Sequence, residues 1–121
     1  MKLMDHVNRS PAKPAVIVEG GQTLSFLELE QQSAQLANLF ADIGLQRGDN
    51  IAILMTNRCE YFVIAWAAQR SGLYYTPVNW HLTTDEASYI VKDCGARILL
   101  ADAELSDLAC SVYQQISSLA A

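Results

Sequence analysis

The chain is short of basic residues. Eight Lys and Arg stand against thirteen Asp and Glu, for a net charge of −5, and no cluster of basic residues occurs. A surface of that sign argues against nucleic acid or an anionic membrane as a partner. Long apolar runs are missing as well. The longest, residues 61–68, is eight residues, far below the roughly 20 a transmembrane helix needs. The opening Met-Lys-Leu-Met-Asp-His has no signal-peptide core, so a cytoplasmic location is expected. Cysteine is sparse and odd in number. Cys59, Cys94 and Cys110 form no Cys-x-x-Cys pair and read as reduced, mostly buried thiols, not as a disulfide frame or a zinc site.

The missing motifs narrow the chemistry further. Neither Gly-x-Gly-x-x-Gly after a strand nor Gly-x-x-x-x-Gly-Lys-Ser/Thr is present. Gly20-Gly21 lies between two strand-like segments, so no helix start is there to hold a phosphate. Ser10, Ser25 and Ser33 have no nucleophile-elbow setting. No paired carboxylates and no His/Cys cluster have metal-ligand spacing. No catalytic residue and no metal ligand is therefore assigned.

What is present is a regular α/β layout. Hydrophobic residues make up 51% of the 121 and charged residues 17%, the balance of a globular chain. That length gives one domain at most, able to bury roughly 65% of its unfolded surface. Residues 1–14 read as an irregular lead-in, with Pro11 and Pro14 discouraging regular structure. Residues 15–19, the Gly20-Gly21 pair and residues 22–26 read as a β-hairpin.

From Ser25 onward one design is used three times. Ser25-x-x-Glu28 matches a capping box and opens a stripe of Leu29, Leu36, Phe40 and Ile43 that ends at Gly44. Asn57-x-x-Glu60 opens a second helix carrying Phe62, Trp66 and Ala67, and Gly72 follows it. Thr83-x-x-Glu86 opens a third, with Tyr89 and Ile90, ending at Gly95. Short apolar strands follow each helix, at 51–55, 73–78 and 98–101. Strands separated by helices in this way imply parallel β-α-β crossovers. The fold expected is an N-terminal hairpin followed by crossovers on a mainly parallel sheet, with a fourth helix over about 106–119.

Ser-Gly-Leu-Tyr-Tyr-Thr-Pro-Val-Asn-Trp-His, at 71–81, is the most informative stretch. It reads as a helix stop, a buried strand, a proline that ends the strand or marks a sheet edge, and a polar rim. In an open α/β sheet, ligands bind at the carboxyl ends of the strands. The site candidates are therefore Thr56 and Asn57, Asn79 and His81, and Asp102. Each has a plainer reading. Asn57 serves as a helix cap, Asp102 starts a turn or caps the fourth helix, Asn79 turns the chain, and His81 packs on the surface beside Trp80. His6 is isolated and has no role.

Five segments, in order, resemble the adenylate-forming superfamily, which holds acyl-CoA synthetases, luciferases and peptide-synthetase adenylation domains. They are Leu-Ser-Phe-Leu-Glu-Leu at 24–29, Leu-Gln-Arg-Gly-Asp-Asn-Ile-Ala-Ile at 45–53 and Asn-Arg-Cys-Glu-Tyr-Phe-Val at 57–63. Ser-Gly-Leu-Tyr-Tyr-Thr-Pro-Val-Asn at 71–79 and Cys-Gly-Ala-Arg-Ile-Leu-Leu-Ala-Asp at 94–102 complete the set. The Pro-Val-Asn-Trp-His-Leu form at 77–82 resembles the fatty-acyl-CoA synthetase branch.

The resemblance implies that residues 1–121 are a single partial domain, an incomplete part of the family's large N-terminal domain. It also implies a carboxylic, fatty acid as substrate. The complete enzyme would use ATP, Mg2+ and CoA, forming an acyl-adenylate and then a thioester. The family's Ser/Thr/Gly-rich phosphate loop and its lysine lie outside these residues, so the chain alone is expected to be inactive and to bind none of these groups well. In some acyl-CoA ligases the second residue after the Asn of Pro-x-Asn is an arginine near the CoA nucleotide phosphate. Here it is His81, the single candidate for cofactor binding. An imidazole is a poorer phosphate partner than a guanidinium fork.

Two other readings compete. One is a non-catalytic truncated paralogue acting as an interaction module. The other is an unrelated flavodoxin-like or receiver domain, but a receiver needs clustered acids and a lysine at its strand ends, which Thr56, Asn79 and Asp102 do not supply. Open sheet edges on a partial domain also lead to an expectation of self-association.

Overall fold

Ser25 ends a strand and starts a helix. In the computed structural model, which describes residues 8–10, 12–17, 23–56, 59–116 and 119, the Ser25 hydroxyl accepts the Glu28 N–H at 3.1 Å. Glu28 Oε1 in turn accepts the Ser25 N–H at 3.1 Å. This reciprocal box satisfies donors that a helix start leaves without intrahelical partners. Helix α1 follows over Phe26–Ile43 and stops at Gly44, whose φ of 98° is left-handed. Ahead of it, β1 (Pro14–Ile17) pairs antiparallel with β2 (Thr23–Ser25), as the hairpin reading requires. The cap draws Phe26 into the helix, so β2 ends one residue early. The Gly20-Gly21 turn, His6 and most of the lead-in lie outside the described residues.

The described residues fall into two compact units, one within 1–44 and 57–71 and the other within 45–56 and 72–121. The first holds the hairpin, α1 and helix α2 (Cys59–Arg70). Its core includes Leu24, Leu29, Cys59 and Val63, with Ala15 and Leu36 against them. Arg70 ties the two helices. Its Nη1 and Nη2 each donate at 3.1 Å to the Glu30 carboxylate, and Nη1 also donates to the buried Ser33 hydroxyl at 3.1 Å.

Two expected stripes need correction here. Ile43 is exposed, because fourteen residues past Leu29 it has turned about 40° away at 100° per residue. In α2 the buried set is Cys59, Val63, Ile64, Ala67 and Ala68, whereas Phe62 and Trp66 are exposed. Phe62 and Trp66 each sit one position, about 100° of rotation, before Val63 and Ala67. The close-packed face goes to smaller side chains. The Asn57 cap lies outside the described residues. The Cys59 thiol is pushed up from its ordinary value by burial, then by the charges of Glu60 and Glu28. None of the three cysteines forms a disulfide, and Cys110 is exposed.

The second unit is a three-stranded sheet with helices. Its strands are β3 (Asn50–Leu54), β4 (Tyr74–Pro77) and β5 (Ala96–Ala101), all parallel, in the order β4-β3-β5. Helix α3 (Thr84–Asp93) joins β4 to β5. After β5 come a 3-10 turn (Ala103–Leu105) and helix α4 (Ser106–Gln115). Ala52, Leu54, Val78, Ala87, Val91, Ala96 and Val112 pack together. Ile51 and Ile53, on the other face of β3, are equally buried, as the central strand of a parallel sheet should be. The parallel crossovers are thus confirmed.

β4 differs from the expected buried strand. Leu73 and Val78 at its ends are buried, but Tyr74 and Tyr75 are exposed, because among the described residues β4 pairs only with β3. Pro77 does mark an edge. At the two ends of the β3–β4 ladder the Tyr74 N–H donates to Asp49 O at 2.9 Å and the Val78 N–H to Ile53 O at 2.8 Å. The donor that Pro77 lacks would point away from β3, where no ladder bond is lost. In α3 the buried residues are Ala87, Ser88 and Val91, while Tyr89 is 70% exposed. Tyr89 lies a further 100° around from Ser88. Helix α4 stops at Gln115, short of the expected Leu119, and Ile116 is extended, with Ile116 and Leu119 both buried.

The cap of α3 yields a pH-dependent prediction. Glu86 bonds the Thr83 N–H and hydroxyl, which holds its carboxyl below its ordinary value of 4.5. A lowered folded-state value contributes stability above 4.5 and loses it as pH falls through the folded value. Thr83→Ala is expected to cost about 1 kcal/mol at pH 7. In denaturant titrations the gap to the parent should narrow at pH 3. A gap of the same size at both pH values would show that the bond from the Thr83 hydroxyl to the ionised Glu86 adds nothing.

Candidate ligand rim at the carboxyl ends of the strands

Because β3, β4 and β5 run the same way, their carboxyl ends share one edge of the sheet. The chain passes from β3 to β4 on one side and then to β5 on the other. The strand order therefore reverses between β3 and β5, the switch point at which open α/β sheets form ligand crevices.

In this protein a polar pair bridges that point. Asp102 Oδ2 accepts both the Thr56 N–H and the Thr56 hydroxyl, each at 2.7 Å. The Asp102 N–H donates to Leu54 O at 3.2 Å, carrying the β3–β5 ladder one residue further. Asp102 is only 5% exposed, so its carboxylate depends on such partners. Asp102 does begin the 3-10 turn, as the turn reading expects, but its side chain makes no cap bond there, and α4 starts after Leu105. The expected cap of the fourth helix is thus corrected: the carboxylate reaches sideways across the sheet. Sequence inspection names both residues as rim positions without pairing them, since they are 46 residues apart.

The loop after β4 is shaped by its own side chain. Asn79 Oδ1 accepts the His81 N–H at 2.9 Å, and the Leu82 N–H donates to Asn79 O at 3.2 Å. Asn79 thus turns the chain. His81 is exposed and lies on Trp80, ring centroids 3.6 Å apart and planes 32° apart. Trp80 keeps 40% of its surface open. At the opposite, amino edge, Asn50 Nδ2 donates to Cys94 O at 3.1 Å, and Asn50 Oδ1 accepts the Thr76 hydroxyl at 3.2 Å. Sequence inspection had no signal for that bridge, since a polar residue opening an apolar strand looks like a boundary. Among the described residues no group of three or more His, Cys, Asp or Glu is arranged to hold a metal. The rim fixes loop directions and presents an aromatic and imidazole surface.

Comparison with known proteins agrees with this frame. Residues 3–120 match the family described as AMP-binding enzyme. Over 99 residues the chain is 36% identical to the fatty acid–acyl-carrier-protein ligase ScoC of Streptomyces coeruleorubidus, covering 82% of this chain and 19% of that protein. It is 33% identical over 109 residues to a crotonobetaine/carnitine–CoA ligase of Escherichia coli O1:K1 / APEC, covering 86% of this chain and 20% of that one. Its fold is similar to that of the o-succinylbenzoate CoA synthetase of Bacillus subtilis in complex with the acyl-adenylate intermediate OSB-AMP. The TM-score is 0.81 at 29% identity, over 98% of this chain and 30% of that one. The chain spans about a fifth of the length of the two ligases. Its mixed α/β fold with a parallel sheet is that of the N-terminal domain of adenylate-forming enzymes.

The Thr56–Asp102 pair yields a graded prediction. Thr56→Val removes one hydroxyl bond and is expected to cost about 1 kcal/mol. Asp102→Ala also strands the Thr56 N–H and is expected to cost about 2–3 kcal/mol. Equilibrium unfolding of the two variants checks the order, and equal costs would show that the amide bond carries no weight.

Proposed function

Because the chain belongs to the AMP-binding enzyme family, we propose that it is the N-terminal part of an ATP-dependent, AMP-forming carboxylate–CoA ligase. The observation that carries the reading is the match over residues 3–120, with relatives named as a fatty acid–acyl-carrier-protein ligase and a crotonobetaine/carnitine–CoA ligase. In the proposed reaction a carboxylate oxygen attacks the α-phosphorus of Mg-ATP and pyrophosphate leaves. The CoA thiolate then attacks the acyl carbon, a thioester forms and AMP departs. A fatty acid is the proposed acyl donor, and a cytoplasmic setting fits cysteines that form no disulfide.

In this reading the chain supplies scaffold and rim. The Thr56–Asp102 bridge orients the segments leaving β3 and β5, and the Asn79 turn holds His81 at the exposed edge. His81 is the proposed contact for the CoA nucleotide phosphate. The chemistry of ATP and Mg2+ belongs to parts of the enzyme outside residues 1–121, whose sequence contains no Ser/Thr/Gly-rich phosphate loop. A second reading ends on the thiol of a carrier protein instead of CoA, and the 36% identity to ScoC favours it.

The complete enzyme is expected to exchange pyrophosphate into ATP only when a carboxylic acid is present, and residues 1–121 alone are expected to show no exchange. Acid-dependent exchange by the isolated 121 residues would sink the division of labour, and its absence from the complete enzyme would sink the ligase reading. Thioester formation with CoA against a carrier protein separates the two acceptors.

His81→Arg would put a bidentate cation at the rim. It is expected to lower the KM for CoA several-fold, with the ATP and acyl terms nearly unchanged. Added salt should shrink the gain, because exposed charge pairs are screened. An unchanged CoA dependence would make His81 a packing residue only.

A further inference from the structure

We propose that Trp80 is a stacking platform for an adenine base, a role that rests on the ligase reading and assigns a ligand group to its rim. Trp80 sits at the carboxyl end of β4, three residues past Pro77, on the edge where an open parallel sheet takes its ligands. Its indole is large and apolar, yet the residue as a whole is 40% exposed. One neighbour already lies against it: the His81 ring, 3.6 Å away and tilted by 32°. The backbone beneath both rings is fixed by the bond from the His81 N–H to Asn79 Oδ1 and by the Leu82 N–H to Asn79 O. The indole is thus presented from a built turn.

A purine offers a flat π-face of matching size, and stacking on an indole needs no particular hydrogen-bond pattern. His81 adds a ring N–H donor beside the platform, which can bond a phosphate oxygen of a nucleotide. Both nucleotide substrates of the proposed reaction, ATP and CoA, carry adenine. The structure points to the base they share.

The test separates those two sources. Trp80 is a surface residue, so its replacement should leave the fold intact. In the complete enzyme, Trp80→Ala is expected to raise the KM of one adenine-bearing substrate about five- to thirty-fold at nearly constant kcat. Trp80→Phe should restore most of the loss. Pyrophosphate exchange, which needs no CoA, reads the ATP arm. Thioester formation at saturating ATP reads the CoA arm, with pantetheine as an acceptor that has no nucleotide and whose KM should not move. Unchanged KM values for both ATP and CoA would overturn the platform while leaving the ligase reading intact, and so would an equal rise with pantetheine. If the complete enzyme shows neither reaction, the ligase reading fails by itself. Equilibrium dialysis with AMP and with adenosine 3′,5′-bisphosphate then decides the platform: binding that weakens in Trp80→Ala supports it, and no binding or no difference overturns it.

Discussion

The parallel ladder around β3 is the constraint on which the second unit depends. Asn50–Ile53 pair with β4 on one side and Asn50–Leu54 with β5 on the other, and Ile51 through Leu54 are essentially buried. A strand with side chains buried on both faces must satisfy its backbone groups within the sheet, since water cannot reach them. That requirement fixes the register of its neighbours. It brings the residues after Leu54, Pro77 and Ala101 to one edge, and every rim residue owes its position to it.

The polar contacts of the unit differ in weight for the same reason. Arg97 and Asp49 approach at 3.7 Å, with the arginine side chain half exposed; such a pair contributes little against solvent and salt. The Thr56–Asp102 bridge is shielded, with two bonds of 2.7 Å. Breaking it would leave a buried charge or a buried amide without its partner, which costs more than the bond gains when formed. The exposed pair can be lost cheaply, whereas the buried one holds the switch point together.

The rim has a fixed part and an open part. Between β3 and β5 the crevice position is bridged by side chains. After β4 the chain turns on Asn79 and leaves Trp80 and His81 to solvent. The chain thus divides a rigid edge and an accessible surface between adjacent strand ends. These residues correspond to about a fifth of the length of the two ligases.

The sequence by itself determined what is local. The two capping boxes at Ser25 and Thr83, the left-handed stops at Gly44 and Gly95, the parallel crossovers and the edge at Pro77 follow from residue types a few positions apart, because helix ends and turns are satisfied by neighbours in the chain. The family likeness was readable for a related reason, since its motifs are short runs at those same boundaries. The buried face of α1 was legible in Leu29, Leu36 and Phe40, but tertiary structure alone decided which faces of α2 and α3 are buried. Phe62, Trp66 and Tyr89 are apolar enough to be core, yet smaller residues one position away took the close-packed face. It also decided that Asp102 bonds Thr56 and not a helix end. A helix face or a rim carboxylate has several partners within reach of its chemistry. Only the approach of segments distant in sequence selects among them, and no local pattern encodes that approach.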